Sequence, residues 1–158
     1  MINICLTVNK ANVYDEVAKT TSYEGAKIKD DNNAYNRIFT TDEDRTMLER
    51  FWNEACNIST ETFKQFITKV SNLSTSHGVE LDNNYDVEME VSSSYDINLT
   101  SSIQASLFSF FVATIVGKWN NFVNKDTVKN YENDADVALM DIQSKLYYRK
   151  KPKRIQIV

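Results

Sequence analysis

Glycine, proline and histidine are almost missing from this 158-residue chain, which has three, one and one of them. Glycine and proline punctuate turns, so their scarcity predicts a few long elements in place of many short strands. It also excludes a phosphate-cradling loop: no G-x-x-x-x-G-K-[ST] or G-x-G-x-x-G occurs, and Gly25, Gly78 and Gly117 stand far apart. One histidine and two distant cysteines, Cys5 and Cys56, cannot make a zinc cage. Two cysteines make no disulfide framework either, and they read as free thiols. Asp42-Glu43-Asp44 lacks the spacing and turn glycine of a calcium loop and suits the first turn of a helix. The lone His77 sits in Ser-Thr-Ser-His-Gly, beside hydroxyls but with no orienting carboxylate before Glu80, so nothing announces an acyl-transfer centre. No cofactor, no metal and no catalytic residue is expected.

Long apolar runs are scarce too. Phe108–Val116 is the most apolar segment, well short of the ~20 residues a bilayer requires. Met1-Ile2-Asn3-Ile4-Cys5 has no positive region followed by an apolar run. The expectation is a soluble protein, intracellular where it is made, with no membrane partner.

Charge is plentiful and unevenly placed. The chain has 22 acidic and 18 basic residues, net −4. Six of the cations, Lys145, Arg149, Lys150, Lys151, Lys153 and Arg154, crowd into ten positions that hold no acid. Removing six positive charges from a net of −4 leaves the body near −10. The single proline, Pro152, interrupts the basic run, and Ile155-Gln156-Ile157-Val158 follows with apolar alternation. Such a split points to different partners for end and body.

The periodicities predict a mainly α protein: a helical bundle of three to four helices, short strands near 2–8 and 85–99, and an extended C-terminal tail. Ile2, Ile4, Leu6 and Val8 alternate as in a strand. Asn9 or Asn12 caps a first helix with Val13, Tyr14, Val17, Ala18 and Thr21 on one face, and 22–36 reads as a loop around Gly25. Thr40 and Glu43 have the spacing of a capping box, opening a helix whose stripe runs from Met47 through Phe63, Phe66, Ile67 and Val70 to Leu73, with a patch at 57–60 that would bend it or split it in two. A second loop surrounds His77. Tyr85, Val87, Met89 and Val91 then alternate with acids, continued by Tyr95, Ile97 and Leu99. The cluster at 100–102 opens a helix apolar on more than one face, so it is the central core helix. Asp126 caps a last helix carrying Val128, Tyr131, Ala135, Ala138, Leu139, Ile142 and Leu146. The division is a domain over 1–148 and a tail over 149–158.

The basic end has three readings. It can be a solvated terminus, or it can bind nucleic acid, with Tyr147 and Tyr148 as stacking faces. It can also dock on an acidic protein partner, with Ile155–Val158 adding a strand to that partner's sheet. The last accounts for charge, proline and alternation together.

Three blocks carry a resemblance: VYDEVAKTTSYEGAK over 13–27, FTTDEDRTMLERFW over 39–52, and the terminal helix ending LYYRKKP over 146–152. Together they resemble small neck proteins of tailed phages, the head–tail connector or adaptor class, especially those of crAss-like and related phages of gut Bacteroidetes. The resemblance implies a non-enzymatic helical subunit that forms a ring, usually dodecameric, at the portal vertex of the virion. Its partners would be copies of itself, the portal protein and other neck or tail proteins, with packaged DNA passing through unread. It assigns portal docking to Arg149, Lys150, Lys151, Lys153, Arg154, Ile155, Ile157 and Val158. The acidic body suits a channel wall that repels DNA, and Glu88 and Glu90 are expected to face the lumen or neighbouring subunits. The alternative is a nucleic-acid-binding accessory protein that uses the basic C-terminus.

Overall fold

A computed structural model describes residues 1–28, 33–71 and 84–154. It is mainly helical, with four long helices and a small three-stranded antiparallel sheet. Strand β1, Ile2–Asn9, follows the period-two pattern: Ile4, Leu6 and Val8 are buried while Asn3, Cys5 and Thr7 face out. Asn9 ends the strand and caps helix α1, Lys10–Lys27, its Oδ1 accepting from the Asn12 amide at 3.0 Å.

Helix α1 runs through the loop expected from residue 22. Gly25 is not a turn glycine: a Cβ there would stand 2.8 Å from the Tyr35 Cα, so its absence lets the short helix α2, Ala34–Ile38, press against α1. Helix α3, Arg45–Thr62, starts after a 3-10 turn at Asp42–Asp44. Its capping pair lies one residue later than expected. The Thr41 amide donates to the Asp44 carboxylate at 2.9 Å, whereas Thr40 is buried and its amide donates to the Thr21 hydroxyl at 3.2 Å.

The long stripe to Leu73 is not one helix. Helix α3 stops at Thr62, a turn covers 63–66, and Ile67–Val70 forms strand β2. Leu73 lies outside the described residues, as do His77 and its loop. Phe63, Phe66, Ile67 and Val70 fit a helical face, but Ile67, Thr68 and Val70 are β-branched and find a strand to pair with. That strand is β3, Asn84–Val91, and the sheet order is β1-β3-β2. Tyr85, Val87, Met89 and Val91 are buried, and Asp86, Glu88 and Glu90 are exposed. The expected strand continuation to residue 99 is instead a turn and a 3-10 turn at Ile97–Leu99. There Tyr95 is buried, its hydroxyl 2.9 Å from the Thr100 hydroxyl.

Helix α4, Thr100–Val123, is the centre of the fold, and α1, α3, α5 and β1 all pack against it. Ile97–Val123 is long and apolar enough to cross a membrane by length and composition. In this fold Ile103, Leu107, Phe110, Phe111, Ile115 and Val116 are buried among the other elements. Each such side chain contributes roughly 1.5–3 kcal/mol of transfer free energy. Asn124 and a 3-10 turn at Lys125–Thr127 reverse the chain into α5, Val128–Tyr147, the close neighbour of α4. Asp126 is exposed in that turn and does not cap α5.

Candidate functional site

The tail is fastened at its root. The Lys150 amide donates to the Ser94 carbonyl at 2.8 Å, and its ammonium stands 3.9 Å from Asp96. The Arg149 guanidinium donates to the carbonyls of Leu146, at 3.0 Å, and Tyr148. Arg149 and Lys150 are therefore engaged with their own body. Lys151, Lys153 and Arg154 are exposed and form no ion pair among the described residues. Ile155, Ile157 and Val158 lie outside the described residues. Tyr147, one of the two expected stacking faces, is held edge-on against Phe66 at 5.2 Å and accepts from Gln65. Tyr147 and Tyr148 are both half exposed.

Glu88 and Glu90 lie where the alternation placed them, on the open face of the central strand. Asp86 joins them in a row, facing away from the helices, and Cys5 and Asn3 of β1 flank it. Cys5 and Cys56 are not joined in a disulfide: Cys5 is exposed on this face and Cys56 is buried in α3.

Three polar clusters were not legible beforehand. In the first, Ser106 donates to Asp141 at 2.6 Å, and Lys145 bridges Asp141, at 2.6 Å, and Ser102. Lys145 and Ser106 together hold the Asp141 carboxyl below its usual range. The cluster ties α4 to α5. In the second, Lys10 is nearly fully buried and pairs with Glu49 at 2.9 Å, while the Tyr14 hydroxyl donates to the same carboxylate at 3.0 Å. Burial, then Glu49, pushes the Tyr14 phenol well above its ordinary value.

The third cluster centres on Glu24. Its carboxylate accepts from Asn124 at 2.8 Å, Thr127 at 2.7 Å, Asn120 at 3.1 Å and Tyr131 at 3.3 Å. One carboxylate thus locks the end of α1 to the α4–α5 turn. Burial, then Glu24, pushes Tyr131 up to about 12. A phenol raised in the folded state stabilises it fully below the unfolded value near 10, and that stabilisation disappears as pH rises toward 12. Stability measured by urea unfolding is therefore expected to fall progressively above pH 10. Glu24→Gln should bring the Tyr131 titration down; an unmoved titration would show that Glu24 is not its neighbour in solution.

Among the described residues no group of three or more His, Cys, Asp and Glu side chains could hold a metal ion. A groove of about 460 Å³ lies between α1 and the start of α3, lined by Tyr14, Asp15, Phe39, Thr40, Asp42 and Arg45. It has neither the enclosure nor the nucleophile–base pair of an acyl-transfer site. Comparison with known proteins found no matching family model, no matching curated protein and no matching solved structure. The site therefore rests on the chain's own geometry: an acid-faced body and a basic tail rooted at one end of its sheet.

Proposed function

We propose that this chain is a virion structural protein, a head–tail connector subunit that forms a ring, docks on the portal and joins capsid to tail. The observation that carries this reading is the tail. Lys151, Lys153 and Arg154, exposed and without an ion pair among the described residues, follow a folded root on a body whose exposed strand face is acidic. That arrangement suits docking on an acidic protein surface, with the apolar residues Ile155, Ile157 and Val158 following in sequence. The resemblance of the blocks at 13–27, 39–52 and 146–152 supplies the class of partner.

A ring subunit also needs side-to-side contacts. Val137 and Met140, each 60% exposed on α5, offer apolar material for such a contact. Glu88 and Glu90 then belong to the lumen or to a neighbouring subunit, where they repel DNA or meet cations.

The test is truncation after Tyr148. The shortened chain loses the bond from Lys150 to Ser94 but none of the core, so it is expected to keep its circular dichroism spectrum and thermal midpoint within a few degrees. It is also expected to fail to bind portal rings in negative-stain images and co-sedimentation. Assembly of the truncated chain on portal as complete as that of the full chain would remove the docking role.

A further inference from the structure

Helix α5 carries two different surfaces. On one side it walls a groove of about 280 Å³. Phe110, Thr114 and Gly117 of α4 line this groove together with Ile58 of α3 and Ala135 and Leu139 of α5. Glu132 and Asp136 also line it from α5, exposed and without an ion pair among the described residues. Thr114 is 9% exposed, and among the described residues its hydroxyl has no hydrogen-bond partner. Buried hydroxyls are nearly always bonded, so an unmet one in a groove is a place for an incoming polar group.

The other surface is a ridge. Lys129, Asn133, Val137 and Met140 follow one another at helical spacing, and all of them are exposed. Lys129 forms no ion pair among the described residues. At 3.6 residues per turn, the ridge lies roughly a third of a turn round α5 from the groove. The ridge is apolar with one cation, and the groove is apolar with two acids. Their placement on different sides of one helix favours head-to-tail association, each copy's ridge entering the next copy's groove.

Charge sets the direction. From Lys129 to Val137 the ridge measures about 12 Å, and from Glu132 to Leu139 the groove wall measures about 10.5 Å. A second copy's α5 laid parallel therefore sets its Lys129 beside Glu132 when its Val137 is beside Leu139. Its Asn133 is then level with Ala135 and Asp136. Thr114 is level with Asp134, because Gly117 lies against Tyr131 and Ser106 bonds Asp141 along the same two helices. The incoming amide thus arrives within about half a turn of the unmet hydroxyl. Laid antiparallel, Lys129 would instead stand level with Tyr147, about 16 Å past Asp136.

We propose that the groove at Thr114 and Gly117 is the seat of the α5 ridge of a second copy of this chain, the two helices running parallel and joined head to tail. This deepens the reading of the chain as a ring subunit and rests on it for the expectation of several copies. Lys129 of one copy meets Glu132 of the next, Val137 packs against Leu139, and Asn133 donates to the Thr114 hydroxyl. Repeated from copy to copy, such a contact closes into a ring when its rotation divides a full turn.

Mixed crosslinking reads the contact. In a Cys5→Ser background, which leaves only the buried Cys56, one chain carries Lys129→Cys and another Glu132→Cys. Replacing both members of an exposed ion pair leaves the apolar contact in place. A short bis-maleimide is expected to join the mixture roughly tenfold faster than it joins either chain to itself. Val137→Asp in the Lys129→Cys chain should remove that advantage, because there the ridge is in use. The same change in the Glu132→Cys chain should leave it, because there only the groove is in use. Val137 is 60% exposed, and a misfolded variant would fail in both places, so the asymmetry separates contact from folding. A mixture no faster than its components, or Val137→Asp acting equally in both places, would overturn the proposal. Faster linking of either chain to itself would make the contact reciprocal and overturn it too. No portal enters this experiment, so the contact can fail while the connector reading stands, and the reverse.

Discussion

Phe111→Ala is expected to remove about 4 kcal/mol of stability. Phe111 is fully buried on α4 and joins the three parts of the core. Its ring lies 4.9 Å from Trp52 of α3 and 5.3 Å from Tyr85 of β3, and meets Phe110 edge-on at 5.8 Å. Truncating a buried phenylalanine costs roughly 3–5 kcal/mol through lost transfer free energy and the cavity left behind. A site with elements on three sides has little freedom to collapse. A domain's whole stability is about 5–15 kcal/mol. At a urea slope of roughly 2 kcal/mol per molar, the midpoint should fall by about 2 M. Phe111→Leu, which keeps most of the volume, should lose less than half as much. A loss below about 1 kcal/mol for the alanine variant would mean that this ring does not hold helix and sheet together.

Glu49→Ala is expected to cost about 3 kcal/mol, although Glu49 sits near the surface of α3. Lys10 is 2% exposed, and Glu49 neutralises its ammonium with both oxygens, at 2.9 and 3.0 Å, while taking the Tyr14 proton donor. Removing one member of a buried ion pair costs roughly 3–5 kcal/mol. Glu49 is itself 22% exposed, so solvent screens part of the effect and the lower end applies. The double change Lys10→Met with Glu49→Leu should recover most of the loss, since apolar pairs of similar volume often replace buried ion pairs without penalty. Thermal or urea unfolding of the two variants beside the unmodified chain checks both expectations. Equal losses in single and double variants would show that packing, not charge, is at stake.

Elements governed by local chemistry were readable from residues alone. The alternation of β1 and β3, the Asn9 cap and the many-sided burial of α4 all depend on neighbours within a few positions. What escaped depends on distant chain. β2 looks helical until β3 is beside it. Gly25 looks like a turn until Tyr35 is placed against it. At the candidate site, the charges of the tail and the open face of Glu88 and Glu90 were legible. The engagement of Arg149 and Lys150 was not, because their acceptors include carbonyls, which no side-chain pattern reveals. Glu24 gave no signal at all: its four donors lie about a hundred residues away.

The breadth of α4 has a consequence for biosynthesis. Synthesis proceeds from the amino terminus, so this helix is made before α5, its largest neighbour. At about 5–20 residues per second, the twenty residues of α5 take roughly 1–4 s. For that interval the nascent chain presents an apolar helix that a membrane-targeting factor or a chaperone would recognise as its own client. Yield of the folded protein in a cell therefore depends on how quickly translation delivers the cover.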